Sequence, residues 1–157
     1  MTASTSSPAP AADSASGEPS SEAASLFEQA ISRYQQGAAP EEVIDDFLRI
    51  TAQQPRLSAG WICLAWLQLL LDQPHAALRS ARTAVRLNPQ DPQARINLSV
   101  AMLETGQKGV REHVELVQRV MVMAPELAAE LTDSMADGLR RRPGWQALEK
   151  VRGWLQG

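Results

Sequence analysis

A repeated spacing along the chain is the feature that most constrains its fold. Pro55 recurs one period later as Pro89, and Pro125 follows after a slightly longer interval. The same offset also brings Leu64 onto Leu98. A period of about 34 residues is typical of solenoids, in which each unit buries its apolar face only by stacking on its neighbours. We therefore expect a repeat architecture.

The period divides the chain into three units, 24–57, 58–91 and 92–127, with a two-residue insertion after Gly106 in the third. In each unit, apolar residues recur at helical spacing on either side of a central break that contains Gly or Pro. Helical spacing of this kind gives each segment one apolar face. Each unit is therefore predicted to be a pair of amphipathic helices.

The middle unit, SAGWICLAWLQLLLDQPHAALRSARTAVRLNPQD, resembles a tetratricopeptide repeat (TPR). The likeness rests on Trp61, Leu64 and Ala65 in its first helix, on Ala77, Ala81 and Ala84 in its second, and on the closing Pro89. The resemblance extends over 24–127 and implies an all-α, right-handed helical-hairpin solenoid of three TPR-like repeats. It also implies that Trp61 fills the gap between the two helices of its repeat. Gln68 and Ala81 stand where the family carries aromatic residues, so a thinner core is expected in this repeat.

The first part of the chain, 1–23, is predicted to be a disordered tail. Apart from Met1, Asp13, Glu18 and Glu22, the segment 1–25 consists entirely of Ala, Ser, Pro, Thr and Gly. Such a segment buries too little apolar surface to offset the entropy lost on ordering. It also lacks the basic start and apolar stretch of a secretory signal and the arginines of an organelle transit peptide. Deletion of residues 1–22 is expected to leave stability unchanged.

The last part of the chain, 128–157, is predicted to belong to C-terminal capping helices. The first of these runs from Glu126 to Arg142 and ends in three arginines, an order of charges that the helix dipole favours. After a break at Pro143, the second helix carries an apolar stripe of Trp145, Leu148, Val151, Trp154 and Leu155. This stripe either covers the end of the third repeat, as solenoids require, or lies in the groove of the repeats.

The first helices of TPR units line a concave face, so the resemblance implies a groove for a protein partner. Projection of the helical period places on this face Ile62, Trp66, Leu69, Leu70, Ile96, Asn97, Val100 and Leu103. Family members that grip a C-terminal carboxylate use Lys, Arg and Asn here, and apart from Asn97 those donors are missing. We expect an apolar groove that binds an amphipathic helix or a hydrophobic segment.

No motif in the sequence indicates catalysis, a metal site or a cofactor. His75 and His113 lie in different repeats, without a carboxylate or cysteine at ligand spacing. Cys63 lies in the most apolar helix and is interpreted as an inert buried thiol, and a lone cysteine fits a reducing, cytoplasmic compartment. The run 140–142 of three arginines could contact phosphate or acidic lipid, but its place at a helix end favours dipole partners.

Charge and hydropathy exclude two further classes of partner. A net charge of -3 and a pI near 5.4 lack the basic footprint of a nucleic-acid-binding protein. The densest apolar run, 61–71, falls well short of the roughly 20 residues that span a bilayer. The sequence therefore predicts a non-catalytic protein-binding module, either an adaptor or an assembly factor. The alternative is a structural or self-associating subunit whose groove is filled by its own C-terminal helix or by another copy.

Overall fold

The computed structural model describes residues 21–157, and within that range it contains eight α-helices and no strand. The helices are α1 (Ser21–Gln35), α2 (Pro40–Gln53), α3 (Ser58–Leu70), α4 (Pro74–Leu87), α5 (Pro92–Glu104), α6 (Arg111–Met123), α7 (Pro125–Arg141) and α8 (Gln146–Gln156). Most of the predicted tail, 1–20, lies outside the described residues. Helix α1 begins inside the predicted tail, because Ser21 already has helical structure. None of the described helices is both long and apolar enough to cross a membrane.

Proline at the first turn starts four of the helices, at Pro40, Pro74, Pro92 and Pro125. Proline fits this position because the first-turn N–H has no partner within the helix. Ahead of Pro92, the carboxylate of Asp91 accepts a hydrogen bond from the backbone N–H of Ala94 at 2.9 Å. Asp91 is therefore the N-cap residue of α5.

The period of the sequence is visible in the turns between paired helices. Asp72 and Gly106 occupy equivalent positions, and both have positive φ, +57° and +73°. At each turn the next amide, of Gln73 or Gln107, donates to the carbonyl of Gln68 or Met102 at 2.8 Å. Glycine adopts this backbone region freely and aspartate tolerates it, so both turns end their helices in the same way.

Consecutive helices pack against each other as hairpins from α1 to α6, which confirms the all-α helical-hairpin architecture. Two hydrophobic clusters stabilise the stack. One contains residues of α1, α2 and α3, and the other contains residues of all six helices from α3 through α8. Ala77, Ala81 and Ala84 of α4 are fully buried, because small side chains allow α3 and α4 to approach closely. Helix α8 packs against α5, α6 and α7, whereas α7 also contacts side chains of α1 and α3.

Two side chains of the middle repeat, Trp61 and Gln68, make hydrogen bonds that the sequence analysis did not predict. Trp61 is partly buried against the hydrophobic cluster of α1, α2 and α3, and its indole N–H donates to the Pro55 carbonyl at 2.8 Å. The equivalent Arg95, one period later, makes the same bond to the Pro89 carbonyl at 3.0 Å. This position therefore fixes the preceding turn to the repeat. Gln68, which the sequence places where tetratricopeptide repeats carry an aromatic residue, is buried and accepts a 2.7 Å hydrogen bond from the Ser80 hydroxyl.

Candidate partner-binding site

The residues predicted to line an open groove are mostly inside the protein. Leu69, Ile96, Asn97 and Val100 are 0% exposed, and Trp66 is 8% exposed. The remaining three, Ile62, Leu70 and Leu103, are partly buried. The chain's own C-terminal part helps to bury them: Leu131 and Met135 of α7, the N-cap residue Trp145, and Leu148 and Val151 of α8 belong to the same hydrophobic cluster as Trp66, Leu69, Ile96 and Val100. The expected open apolar face is therefore much reduced in the structure.

Asn97, the one polar member of this set, is tied to its own fold. Its Nδ2 donates to the Ile62 carbonyl at 3.0 Å, and its Oδ1 accepts from Gln93 Nε2 at 2.8 Å. A buried amide is stable only when its donors and acceptors are paired. In this structure Asn97 joins α5 to α3.

Helix α7 crosses the inner face near Tyr34 and Trp66. A Cβ atom added at Gly138 of α7 would lie 2.6 Å from Cζ2 of Trp66, so the α7 backbone lies close above the indole ring. The Tyr34 hydroxyl donates to Asp137 Oδ2 at 2.7 Å and accepts from Trp66 Nε1 at 3.0 Å. The tyrosine thus connects the first, third and seventh helices.

Two arginines at the end of α7 bind backbone carbonyls of the repeats. Arg141 donates to the carbonyls of Tyr34 at 2.7 Å and Ala38 at 2.9 Å, and its guanidinium stacks 3.8 Å from the Tyr34 ring centroid. Arg142 donates to the Leu69 carbonyl at 2.7 Å and pairs with Glu104 at 3.1 Å. These arginines are anchors of α7, a role that the sequence interpretation of the triplet missed.

Between α7 and the inner face a cleft of about 470 Å³ remains. Its floor is apolar, from Ile31 of α1 and from Ile62, Cys63, Trp66 and Leu67 of α3. Its wall is the polar face of α7, which presents Glu130, Asp133, Ser134, Asp137, Arg140 and Arg141. Of the predicted groove residues, the cleft reaches Ile62 and Trp66. The spacing of polar residues on one face of α7 is the sequence signal that could have indicated this wall.

Two titratable groups that line the cleft, Tyr34 and Cys63, have raised pKa values. Burial and the hydrogen bond to Asp137 raise the pKa of Tyr34 well above its ordinary value. Burial, helped by the charge of Asp91, raises the pKa of the Cys63 thiol to about 12. A thiol with such a pKa remains protonated near neutral pH, so the nucleophilic thiolate is not formed.

The two histidines lie away from the residues that line the cleft. His75 is exposed on α4. His113 of α6 accepts a hydrogen bond from Arg95 Nη1 through Nδ1 at 2.7 Å. In the described part of the chain, no three His, Cys, Asp or Glu side chains come together as a metal-ligand group.

Comparison with known proteins shows a likeness of fold. No family model and no curated protein matches the sequence. Among solved structures, the fold is similar to that of SycD, the type III secretion translocator chaperone of Yersinia enterocolitica, in an alternative dimer. The TM-score is 0.61 at 18% sequence identity, over 85% of this chain and 93% of SycD. The chain therefore has an all-helical, repeat-like fold that resembles the fold of a secretion chaperone.

Proposed function

We propose that this chain is a non-catalytic TPR-like protein-binding module, an adaptor or assembly factor, whose partner inserts an apolar or amphipathic helical segment into the cleft between α3 and α7. The cleft itself carries the proposal, because it combines an apolar floor with a polar wall and has the concave form of a binding site. The likeness of fold to a protein described as a translocator chaperone supports a protein-binding role.

The partner would first contact Ile62 and Trp66, the predicted groove residues that the cleft reaches. Leu69, Ile96 and Val100 are fully buried in the cluster that α7 and α8 share, so a partner would contact them only if the packing changed. Ile62 and Trp66, in contrast, already line the existing cleft. We therefore place the primary contact at Ile62.

Ile62→Gln tests this proposal, with Leu48→Gln as the matched control. Leu48 is 46% exposed on α2 and does not line the cleft. Burial of one large aliphatic side chain contributes about 1.5–3 kcal/mol, so loss of the Ile62 contact should weaken partner binding by about 10-fold or more. Quantitative co-purification should recover the same proteins with wild type and Leu48→Gln but lose some with Ile62→Gln. Identical recovery by all three, with equal melting temperatures, contradicts the proposal.

Self-association is a second candidate, favoured by exposed apolar side chains outside the cleft. Val122 and Met123 at the end of α6 are 81% and 83% exposed, and Trp154 of α8 is 39% exposed. Large apolar side chains exposed together are typical of interaction surfaces. Sedimentation equilibrium of wild type and of Val122→Glu/Met123→Glu tests this candidate: an interface at α6 gives a mass that rises with concentration only in the wild type.

A further inference from the structure

The α7 wall of the cleft carries unbalanced negative charge. Asp137 pairs with both Arg140 and Arg141, at 3.1 and 3.0 Å, so these three residues together carry one net positive charge. Glu130 and Asp133 are exposed, and none of the ion pairs among residues 21–157 includes either of them. The wall thus has three carboxylates against two guanidinium groups, and its excess negative charge lies at the end with Glu130 and Asp133.

A third carboxylate, Asp91 at the start of α5, lines the same indentation as Glu130. Asp91, Glu130 and Asp133 together are called the acidic rim. An adjoining indentation of about 340 Å³ is lined by Asp91, Leu127 and Glu130, and it shares Gln93 and Glu130 with the cleft. The charge of Asp91 also contributes to the raised pKa of Cys63 on the floor. Asp91 therefore adds a carboxylate next to the cleft, close enough to act on the floor.

The occupant has to match both surfaces. Its apolar side has to cover Ile62 and Trp66, because these side chains form the floor. Its opposite edge has to supply cations to Asp91, Glu130 and Asp133, since like charges placed next to this rim would oppose binding. A helix with an apolar stripe and a basic edge presents both features at once.

We propose that the cleft binds a cationic amphipathic helix of a partner protein, with Lys or Arg side chains pairing with Glu130 and Asp133. This proposal rests on the proposed function and names the partner chemistry of the same site. The chain's own N-terminal segment does not match, because it has no Lys or Arg before Arg33 and carries Asp13, Glu18 and Glu22. A second copy is a poorer match than a basic helix, because its net charge is also negative.

Three fluorescein-labelled model helices of about 18 residues provide the probes. All share one apolar stripe of Leu, and they carry Lys, Gln or Glu on the polar edge. Fluorescence anisotropy measures their binding to the full chain at about 50 and about 300 mM NaCl. The Lys helix is expected to bind at least about 10-fold more tightly than the Glu helix at low salt, and the difference should shrink at high salt.

Glu130→Gln/Asp133→Asn locates the effect, and Glu41→Gln/Asp45→Asn on α2 is the control with the same change of charge. All four side chains are exposed, so both proteins are expected to fold like the wild type. Loss of two exposed charge pairs should weaken binding of the Lys helix by about 3- to 10-fold. The α2 control should bind it like the wild type.

The outcomes separate the two proposals. If Ile62→Gln weakens binding of the Lys helix but Glu130→Gln/Asp133→Asn does not, the acidic rim is unused and this inference is wrong, while the proposed function stands. Equal binding of the Lys and Gln helices leads to the same conclusion. If neither variant changes binding, or no helix binds, both proposals fail at this cleft.

Discussion

His113 occupies a position that is filled by a small residue in the middle repeat. With the insertion counted, it corresponds to Ala77, and Arg95 corresponds to Trp61. The third repeat thus replaces an aromatic and an alanine by an arginine and a histidine, and Arg95 Nη1 lies 2.7 Å from His113 Nδ1. A neutral imidazole can accept this hydrogen bond, whereas an imidazolium cannot.

Stability should therefore depend on the protonation of His113. Burial and the charge of Arg95 lower the pKa of His113, and Glu112 opposes them in part. Because the folded-state pKa lies below the unfolded value of about 6.5, the unfolded chain binds more protons. The stabilisation is present above the unfolded pKa and is lost as pH falls through the folded pKa.

His113→Asn tests this linkage, since Asn keeps an acceptor for Arg95 but does not titrate. The free energy of unfolding from urea titrations should fall more steeply below about pH 6.5 in the wild type than in His113→Asn. His75→Asn, at an exposed histidine, is the matched control. Parallel curves for wild type and His113→Asn would show that the Arg95 contact does not depend on protonation.

At the scale of the element, the close approach of α7 to Trp66 depends on Gly138, which has no side chain. Gly138 lies within α7, where glycine is normally unfavourable. A Cβ atom at this position would lie 2.6 and 2.8 Å from Trp66 Cζ2 and Cη2. The indole is rigid, and its Nε1 is held by the Tyr34 hydroxyl. The helix would have to move away from the inner face to accommodate even one methyl group.

Gly138→Ala is expected to lower the free energy of unfolding by about 1–3 kcal/mol, the usual cost of overpacking. In an unhindered helix the same change stabilises by about 0.5–1 kcal/mol. Gly153→Ala in α8 provides that comparison, because a Cβ there meets no atom within 4 Å. Urea unfolding should shift the two variants in opposite directions. A stabilised Gly138→Ala protein would mean that α7 is free to leave Trp66.

Helix α8 has the contacts expected of a capping element. Trp145, Leu148 and Val151 are at most 2% exposed, against α5, α6 and α7. Each buried side chain of this size contributes about 1.5–3 kcal/mol, so the three together approach the whole stability of a typical domain, about 5–15 kcal/mol. Removal of 143–157 should therefore yield a largely unfolded or aggregated chain.

Circular dichroism and size-exclusion chromatography check the truncated protein. Trp145→Ala is a milder variant that is expected to remain folded with a lower melting temperature. Trp154→Ala, at a 39% exposed residue, should lower the melting temperature less. A truncated chain that melts like the wild type would contradict the capping role of α8.

At the scale of the whole molecule, the period predicts the hairpins but not the path of α7. Periodicity shows which face of each helix is apolar, and the stripes of the repeats and of the C-terminal helices are both recognisable from it. It does not show which stripes meet. Arg141 and Arg142 illustrate the limit: they bind the carbonyls of Tyr34, Ala38 and Leu69, and a carbonyl carries no sequence signature.

The two neighbouring tryptophans of α3 show the same limit at the site. The sequence predicts Trp61 inside the repeat and Trp66 in an open groove, yet Trp66 is the more buried. The contacts of Trp61 are near in sequence, since its indole binds the carbonyl of Pro55, whereas the environment of Trp66 depends on α7, a helix that lies far along the chain. The acidic rim likewise combines α5 and α7, so it could not be assembled from one repeat.

The contact of α7 with α1 has a consequence for cooperativity. In a solenoid each repeat contacts only its neighbours, so terminal repeats can open independently. Here Tyr34 of α1 binds Asp137 of α7 and Trp66 of α3 through one hydroxyl. This hydroxyl couples the first hairpin to the C-terminal half of the molecule.

Tyr34→Phe should therefore loosen the first hairpin selectively. Loss of its hydrogen bonds is expected to cost about 1–2 kcal/mol, which corresponds to roughly 5- to 30-fold faster hydrogen exchange in α1 and α2. Exchange in α5, whose residues are mostly buried, should change little because its own packing is unaffected.

Ser80→Ala is the control, because it removes a buried hydrogen bond of similar length, 2.7 Å, that lies within one hairpin. It should accelerate exchange in α3 and α4 and leave α1 unchanged. Hydrogen exchange followed by mass spectrometry distinguishes these patterns, and an equal acceleration in every helix of the Tyr34→Phe protein would show that the molecule opens only as a single unit.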